Sequence, residues 1–297
     1  GSNLMEFRTL NYFLGVLENR SYTAAAEALH ITQPALTKAV QRLEAELEVE
    51  LFDRDSRGTE PTKYGELLAV HARRLNEEHK HAKLEIENLK NGFNESVRVG
   101  AGPVWSSRML PQATKRLREE GKNIKITLTS DTSSPLTKRL LDGSLDLICG
   151  DIDFPVHPDI CKEHIQSVEY VLCGRREHPL SRKSQVEYQA LTDYSWAVLP
   201  NTLEKLQPLF DSLEFPKLDI AIEVASVDEL IVAASTEDYL VALPESLLGK
   251  AEVAGVVRLP LKGALYKFSV GVAYMKEAQA SSSIASVISI IKTFSWD

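Results

Sequence analysis

Gln33, Thr37, Lys38, Gln41 and Arg42 share one ten-residue window, and their side chains suit a single task. Amides hydrogen-bond adenine edges, lysine and arginine bond guanine edges or phosphates, and threonine does either, provided that one helix carries all five into a major groove. The intervening Leu36, Val40, Leu43 and Leu47 recur at steps of four, three and four. That is the helical period, and it predicts a buried stripe opposite the polar one. Just upstream, Ala25, Ala26 and Leu29 form one apolar face of a shorter helix, and His30-Ile31-Thr32 make a tight polar turn. The pattern reads as a helix-turn-helix, with Thr32 at the turn and Pro34 fixing the start of the second helix.

The flanking elements must hold this pair. Phe7 to Leu17 predicts a first helix whose Leu10, Phe13, Leu14 and Leu17 brace it. Leu51 to Thr62, with Gly58 and Pro61, reads as a β-wing that touches the DNA backbone through Arg54 and Arg57, with Lys63 beyond it. Thr62 is a candidate N-cap for a helix that runs without a breaker to about Asn91, with Gly92 as its stop. Along that helix Leu68, Ala72, Leu75, His79, Ala82, Ile86, Leu89 and Phe93 alternate at four and three, among charged neighbours. Such a narrow seam seeks a partner helix, so Leu68, Leu75, Ala82, Ile86 and Leu89 are candidate dimerisation residues. The other reading is a surface helix packed on its own chain. A dimer would place two reading helices on a two-fold-related site in double-stranded DNA.

Phe13, Ala24-Ala25-Ala26, Thr32-Gln33-Pro34-Ala35-Leu36-Thr37, Leu43-Glu44, Leu51-Phe52-x-Arg54, Thr62 and Gly65 stand in the order found in the winged helix-turn-helix of LysR-type transcriptional regulators, which this region resembles. The resemblance implies three parts: a DNA-binding domain over 5–65, a coiled-coil linker over 66–93, and an effector domain over 94–297. It implies that the last is a two-lobed, periplasmic-binding-protein-like α/β fold, with one lobe at about 95–165 and 267–297 and the other at about 166–266. It further implies a small-molecule effector between the lobes, homodimers that commonly pair into tetramers, and RNA polymerase as a further contact.

The residue pattern after Ser96 agrees with an α/β domain. Strands over Val97 to Ala101, Ile124 to Thr129 and Leu145 to Cys149 alternate with helices over Ser106 to Glu120 and Pro135 to Leu141, a βαβαβ pattern that predicts a parallel sheet. Strands near Tyr170 to Cys173, Trp196 to Leu199, Ile220 to Val224 and Leu240 to Leu243 begin a second cycle, with helices near Leu203 to Leu213 and Val227 to Ala234. Lys267 to Tyr274 and a helix over Ile284 to Phe294 read as the return to the first lobe.

Ligands of open α/β sheets sit beyond the carboxyl ends of the strands. Here those ends carry Pro103, Val104, Trp105 and Ser106, then Thr132 and Ser133, then Asp151, and in the second lobe Pro200, Asn201, Thr202 and Ser226. Hydroxyls and amides at helix starts favour small carboxylates or polar metabolites. The other reading is that Ser106, Thr132, Ser133, Thr202 and Ser226 are plain N-caps. Two departures from the family shift the expectation: Pro103-Val104-Trp105 replaces a turn rich in Ser and Thr, and Glu237-Asp238-Tyr239 replaces a Gly-x-Gly step. With Asp151 they point to an aromatic, neutral or amine-bearing ligand, Trp105 stacking and Asp151 accepting, or else to a cleft that Trp105 already fills.

A net charge of −8 argues against a nucleic-acid partner only weakly, since residues 1 to 93 hold 12 Lys and Arg against 15 Asp and Glu, net −3. Placement matters more, because screening confines charge effects to roughly 10 Å. Lys38, Arg42, Arg54, Arg57 and Lys63 cluster at the reading helix and wing. Cys149, Cys161 and Cys173 lie in or beside apolar runs and read as core thiols rather than a disulfide framework. The histidines have no metal-ligand spacing, and neither cofactor nor metal is expected. No phosphate loop, G-x-S-x-G elbow or H-E-x-x-H is present, so the chain reads as a regulator and not an enzyme. The absence of a long apolar run and of a secretory pattern predicts a cytoplasmic protein without a membrane partner.

Overall fold

A computed structural model describes residues 6–55 and 58–294. The chain divides near Lys90 into two compact units.

In the first unit, helices α1 (Phe7–Asn19), α2 (Tyr22–Ala28) and α3 (Gln33–Leu47) precede a hairpin of β1 (Phe52–Asp55) and β2 (Gly58–Pro61), then the 28-residue α4 (Lys63–Lys90). Phe13, Val16, Ala25, Leu36 and Val40 are completely buried, and the Phe13 and Phe52 rings meet with centroids 5.2 Å apart, so the wing closes on the helices. Thr62 Oγ1 accepts from the Tyr64 and Gly65 N–H groups, both at 3.2 Å, and caps α4 as its position suggests.

In the second unit, β3 (Glu95–Ala101), β4 (Ile124–Ser130) and β5 (Leu147–Asp151) are parallel in the order β4-β3-β5, separated by α5 (Leu110–Glu119) and α6 (Ser133–Leu141). A single π turn, Trp105–Met109, leads into α5. The sheet is not parallel throughout, as the βαβαβ pattern suggested. The 16-residue β6 (Ile160–Arg175) and β11 (Tyr266–Met275) run antiparallel along each other, and β11 also pairs antiparallel with β5. A register shift in the β6–β11 ladder falls between Val270 and Gly271, opposite Gln166 and His164. Beyond it, β6 pairs antiparallel with β9 (Val241–Pro244) and β10 (Val256–Arg258), while β7 (Trp196–Val198) pairs in parallel with β8 (Ile220–Glu223). Helices α7 (Pro200–Ser212), α8 (Val227–Thr236) and α9 (Leu248–Val253) belong to this half, and α10 (Ser282–Ile291) follows β11. The two long strands therefore cross between the halves of the sheet.

Candidate functional site

The reading helix α3 begins at Thr32, whose Oγ1 accepts from the Ala35 N–H at 3.4 Å, with Pro34 in its first turn, where a missing N–H costs nothing. Burying Leu36, Val40 and Leu43 turns Gln33, Pro34, Lys38, Gln41 and Arg42 outward, all exposed. Thr37 differs: it is half-buried, and its Oγ1 is shielded from solvent with no hydrogen-bond partner among the described residues. Arg42 borders a groove of about 240 Å³ with Glu6, Arg8, Thr9 and Tyr12. Lys63 is exposed, its ammonium 4.9 Å from the Tyr64 ring centroid. Arg57 and the side chain of Arg54 lie outside the described residues. Among the acids of α3, Glu44 has a structural task, since its Oε1 accepts from the Leu51 N–H at 2.8 Å and fixes the entry to the wing.

On α4 the seam splits in two. Gly65, Ala69 and Ala72 are buried against their own unit, with Leu68 packed at its edge, whereas Leu75, Ala82, Ile86 and Leu89 are exposed, the last two at 57% and 60%. Tyr64 and Leu67, the latter 63% exposed, prolong the outer stripe towards the start of the helix. His79 is exposed, with its ring 4.6 Å from that of Phe7.

The cleft lies at the ends of β3 and β5 and the start of α7. Its lining includes Val104, Trp105, Thr132, Ser133, Asp151 and Asn201, six of the residues singled out in the sequence. Pro103, Ser106, Pro200, Thr202 and Ser226 are not in that lining. The Ser106 hydroxyl bonds back to the Gly102 carbonyl at 3.0 Å, Pro200 is the first residue of α7, and Thr202 is buried. Ser226 forms a capping box with Glu229 at the start of α8.

Sequence reasoning missed Tyr170, Phe268 and Lys205. The rings of Tyr170, Tyr266 and Phe268 pack together, with centroids 4.8 Å apart for Tyr170 and Tyr266 and 5.2 Å for Tyr170 and Phe268. Burial, reinforced by the Asp151 carboxylate, raises the Tyr170 phenol well above its ordinary pKa, so it is a neutral hydroxyl. Lys205 Nζ lies 2.6 Å from Asp151 Oδ2 and 5.4 Å from the Phe268 ring centroid. Asp151 Oδ1 accepts from the Asp153 N–H at 2.8 Å, and Asp153 Oδ2 in turn accepts from the Ser269 N–H at 2.8 Å. Asp151 therefore does accept an ammonium, and this chain supplies it. Lys162 holds the same turn through the carbonyls of Ile152 and Phe154.

Trp105 is 4% exposed and lies against Gly150, where an added Cβ would stand 3.2 Å from the indole Cδ1 and the backbone has φ +134°. With the indole there, about 30 Å³ of free space remains in the cleft, room for one water. The departure at Glu237-Asp238-Tyr239 has a structural use, since Asp238 Oδ1 accepts from Arg175 Nε at 2.7 Å and its carbonyl meets His178 Nε2 at 3.2 Å. Cys149 and Cys173 are buried, as core thiols would be, and Cys161 is half-buried.

A winged helix-turn-helix on a long helix and an α/β domain with crossing strands define a DNA-binding regulator with a ligand-binding module. Residues 7–66 match the bacterial regulatory helix-turn-helix proteins of the lysR family, and residues 90–295 match the LysR substrate binding domain, so the chain belongs to the LysR family. It is a DNA-binding transcriptional regulator with an effector-binding domain, not an enzyme. Among its relatives, the SDS degradation transcriptional activation protein of a Pseudomonas species is 29% identical over 86% of this chain and 84% of its own length. The nitrogen assimilation regulatory protein nac of Escherichia coli is 28% identical over 82% and 79%. The fold is similar to full-length CbnR in complex with its target DNA, with a TM-score of 0.62 and 22% identity over 97% of this chain and 99% of that one. Full-length OxyR of Pseudomonas aeruginosa gives 0.64 and 19% identity over 99% and 97%. Among the described residues no helix is long and apolar enough to cross a membrane.

Proposed function

We propose that this regulator reads a two-fold-related DNA site as a dimer and that a small molecule held in the cleft controls how its reading heads are presented. The reading is carried by the two-sided character of α3, whose buried Leu36, Val40 and Leu43 aim Gln33, Lys38, Gln41 and Arg42 at solvent as one surface. Gln33 and Gln41 take base edges, Lys38, Arg42 and Lys63 take phosphates, and Arg54 and Arg57 extend the contact along the wing. Thr37 contributes less to this surface, because its hydroxyl is covered.

Two copies pair through the outer stripe of α4, Tyr64, Leu67, Leu75, Ala82, Ile86 and Leu89, and pairs of dimers form the tetramer. What supports this is the exposure of Tyr64, Leu67, Leu75, Ile86 and Leu89 along one helix, a costly arrangement unless covered. The effector acts by its different affinity for two arrangements of the assembly. The protein works in the cytoplasm and passes its output to RNA polymerase.

The test is sedimentation and DNA anisotropy of Leu75→Glu/Ile86→Glu. The double variant is expected to sediment as a monomer and to bind its site at least about tenfold more weakly; an unchanged oligomer would contradict pairing through this stripe.

A further inference from the structure

We infer that the cleft takes a zwitterion, an α-amino acid with an apolar side chain, whose ammonium replaces Lys205 at Asp151 and whose carboxylate replaces Asp151 at Lys205. The inference rests on the cleft being the effector site.

The argument is one of charge balance. Asp151 lines a cleft with about 30 Å³ of free space, and its carboxylate meets the Lys205 ammonium at 2.6 Å, with only 16% and 25% of the two side chains exposed. A ligand that displaces this pair must satisfy both of its charges. A ligand with one charge satisfies one partner and strands the other in a low-dielectric wall, which is far costlier than exchanging a pair for a pair. A neutral ligand strands both. An amino-acid head presents both charges on one α-carbon and slots between the two side chains in the order carboxylate, ammonium, carboxylate, ammonium.

Two further features fit this head group. Asn201 Oδ1 lies shielded in the wall without a hydrogen-bond partner among the described residues, an acceptor for a second ammonium hydrogen. Asp151 needs no reorganisation to receive the first, because Asp153 already fixes its other oxygen. Beside Asp131, Thr132 and Ser133, the lining has an apolar and aromatic part, Val104, Trp105, Ile148, Tyr170 and Phe268, that suits an apolar side chain. Asp131, also in the lining, is an exposed carboxylate and disfavours an acidic side chain.

Isothermal titration of the full chain tests this, with L-leucine, L-phenylalanine, L-tyrosine and L-tryptophan, each also offered as its N-acetyl derivative and as its amide. At least one free amino acid is expected to bind, and its N-acetyl and amide forms to bind at least about a hundredfold more weakly, as a stranded charge requires. Asp151→Asn and Lys205→Met are each expected to weaken the free amino acid to a similar degree. The inference falls if none of the free amino acids binds, or if a derivative binds as tightly as its parent. In the latter case loss of binding in Ser133→Trp, which plugs the cleft wall, keeps the cleft as the effector site. Binding that Ser133→Trp, Asp151→Asn and Lys205→Met all leave unchanged would overturn the cleft itself.

Discussion

Gly65 lies directly beneath the carbonyl of Leu51: a Cβ built on it would stand 2.1 Å from that oxygen and 3.2 Å from Pro61 Cβ. The first turn of α4 can seat against the wing only because this position has no side chain. Neither neighbour is a flexible tip that could swing away. Gly65→Ala is therefore expected to destabilise the first unit by ~1–3 kcal/mol, as overpacking does, and to weaken DNA binding through displacement of the wing. Urea unfolding followed by circular dichroism checks the first effect; an unchanged midpoint would contradict the contact.

In the second unit Arg98 and Asp146 form a bidentate pair, Nη2 to Oδ1 at 2.7 Å and Nε to Oδ2 at 3.0 Å, and Asp146 Oδ2 also accepts from the Arg98 backbone N–H at 2.7 Å. Both side chains are about 15% exposed. Losing the carboxylate leaves a guanidinium and a backbone N–H unpaired beside the start of β5. Asp146→Ala is expected to cost ~2–4 kcal/mol, discounted from a fully buried pair for the residual exposure. Asp146→Asn is expected to recover part of that, because an amide oxygen still accepts. Equal losses in the two variants would show that the charge, not the hydrogen bonds, carries the contact.

The elements were largely legible in the sequence, because α1 to α4 and the three parallel strands each follow a single period. The exceptions have physical causes. Only the apolar end of β6, Tyr170 to Cys173, reads as a strand; upstream of it Lys162, Glu163, His164, Gln166, Ser167 and Glu169 face a half-open surface and show no apolar alternation. The seam of α4 superimposes two faces, one packed on its own unit and one outward, and a four-three count cannot separate them. Part of the cleft escaped notice because Tyr170, Phe268 and the lysine that pairs with Asp151 come from elements far apart in sequence. Lys205 alone reads as a solvated helix cation, and it meets Asp151 only because α7 and β5 come together at the cleft. The signal available was Tyr266 and Phe268, two aromatic residues on one face of a strand.

His178 is fully buried beside the Tyr194 ring, 4.7 Å between centroids. Its Nδ1 accepts from the Leu180 N–H at 3.1 Å, so the proton sits on Nε2, which donates to the Asp238 carbonyl. Burial lowers its pKa below the usual imidazole value, against a smaller opposing pull from Asp238. The unfolded chain takes up this proton first as pH falls. The stabilisation from a neutral His178 is thus complete above the ordinary imidazole pKa and is lost as pH falls from there towards the lowered folded value. Urea midpoints between about pH 8 and 5 are expected to fall more steeply for wild type than for His178→Gln; parallel curves would contradict this.

Burial pushes the Cys173 thiol up to about 12 and raises Cys149 further, so neither forms the reactive thiolate in the folded protein. Iodoacetamide at neutral pH, followed by mass spectrometry, is expected to leave both unmodified in the folded chain and to modify both in urea. Rapid labelling of either thiol in the folded state would contradict their place in the core.

The most direct measurement is fluorescence anisotropy of the full chain on the DNA upstream of its own gene, against a scrambled duplex at physiological salt, with Gln33→Ala and Lys38→Ala alongside. Wild type is expected to prefer the native duplex. Gln33→Ala is expected to lose that preference by a factor of about ten or more, the worth of one good bidentate contact, while Lys38→Ala weakens both duplexes alike and flattens the salt dependence. Binding of wild type and Gln33→Ala with the same preference for the native duplex would show that α3 does not read the sequence.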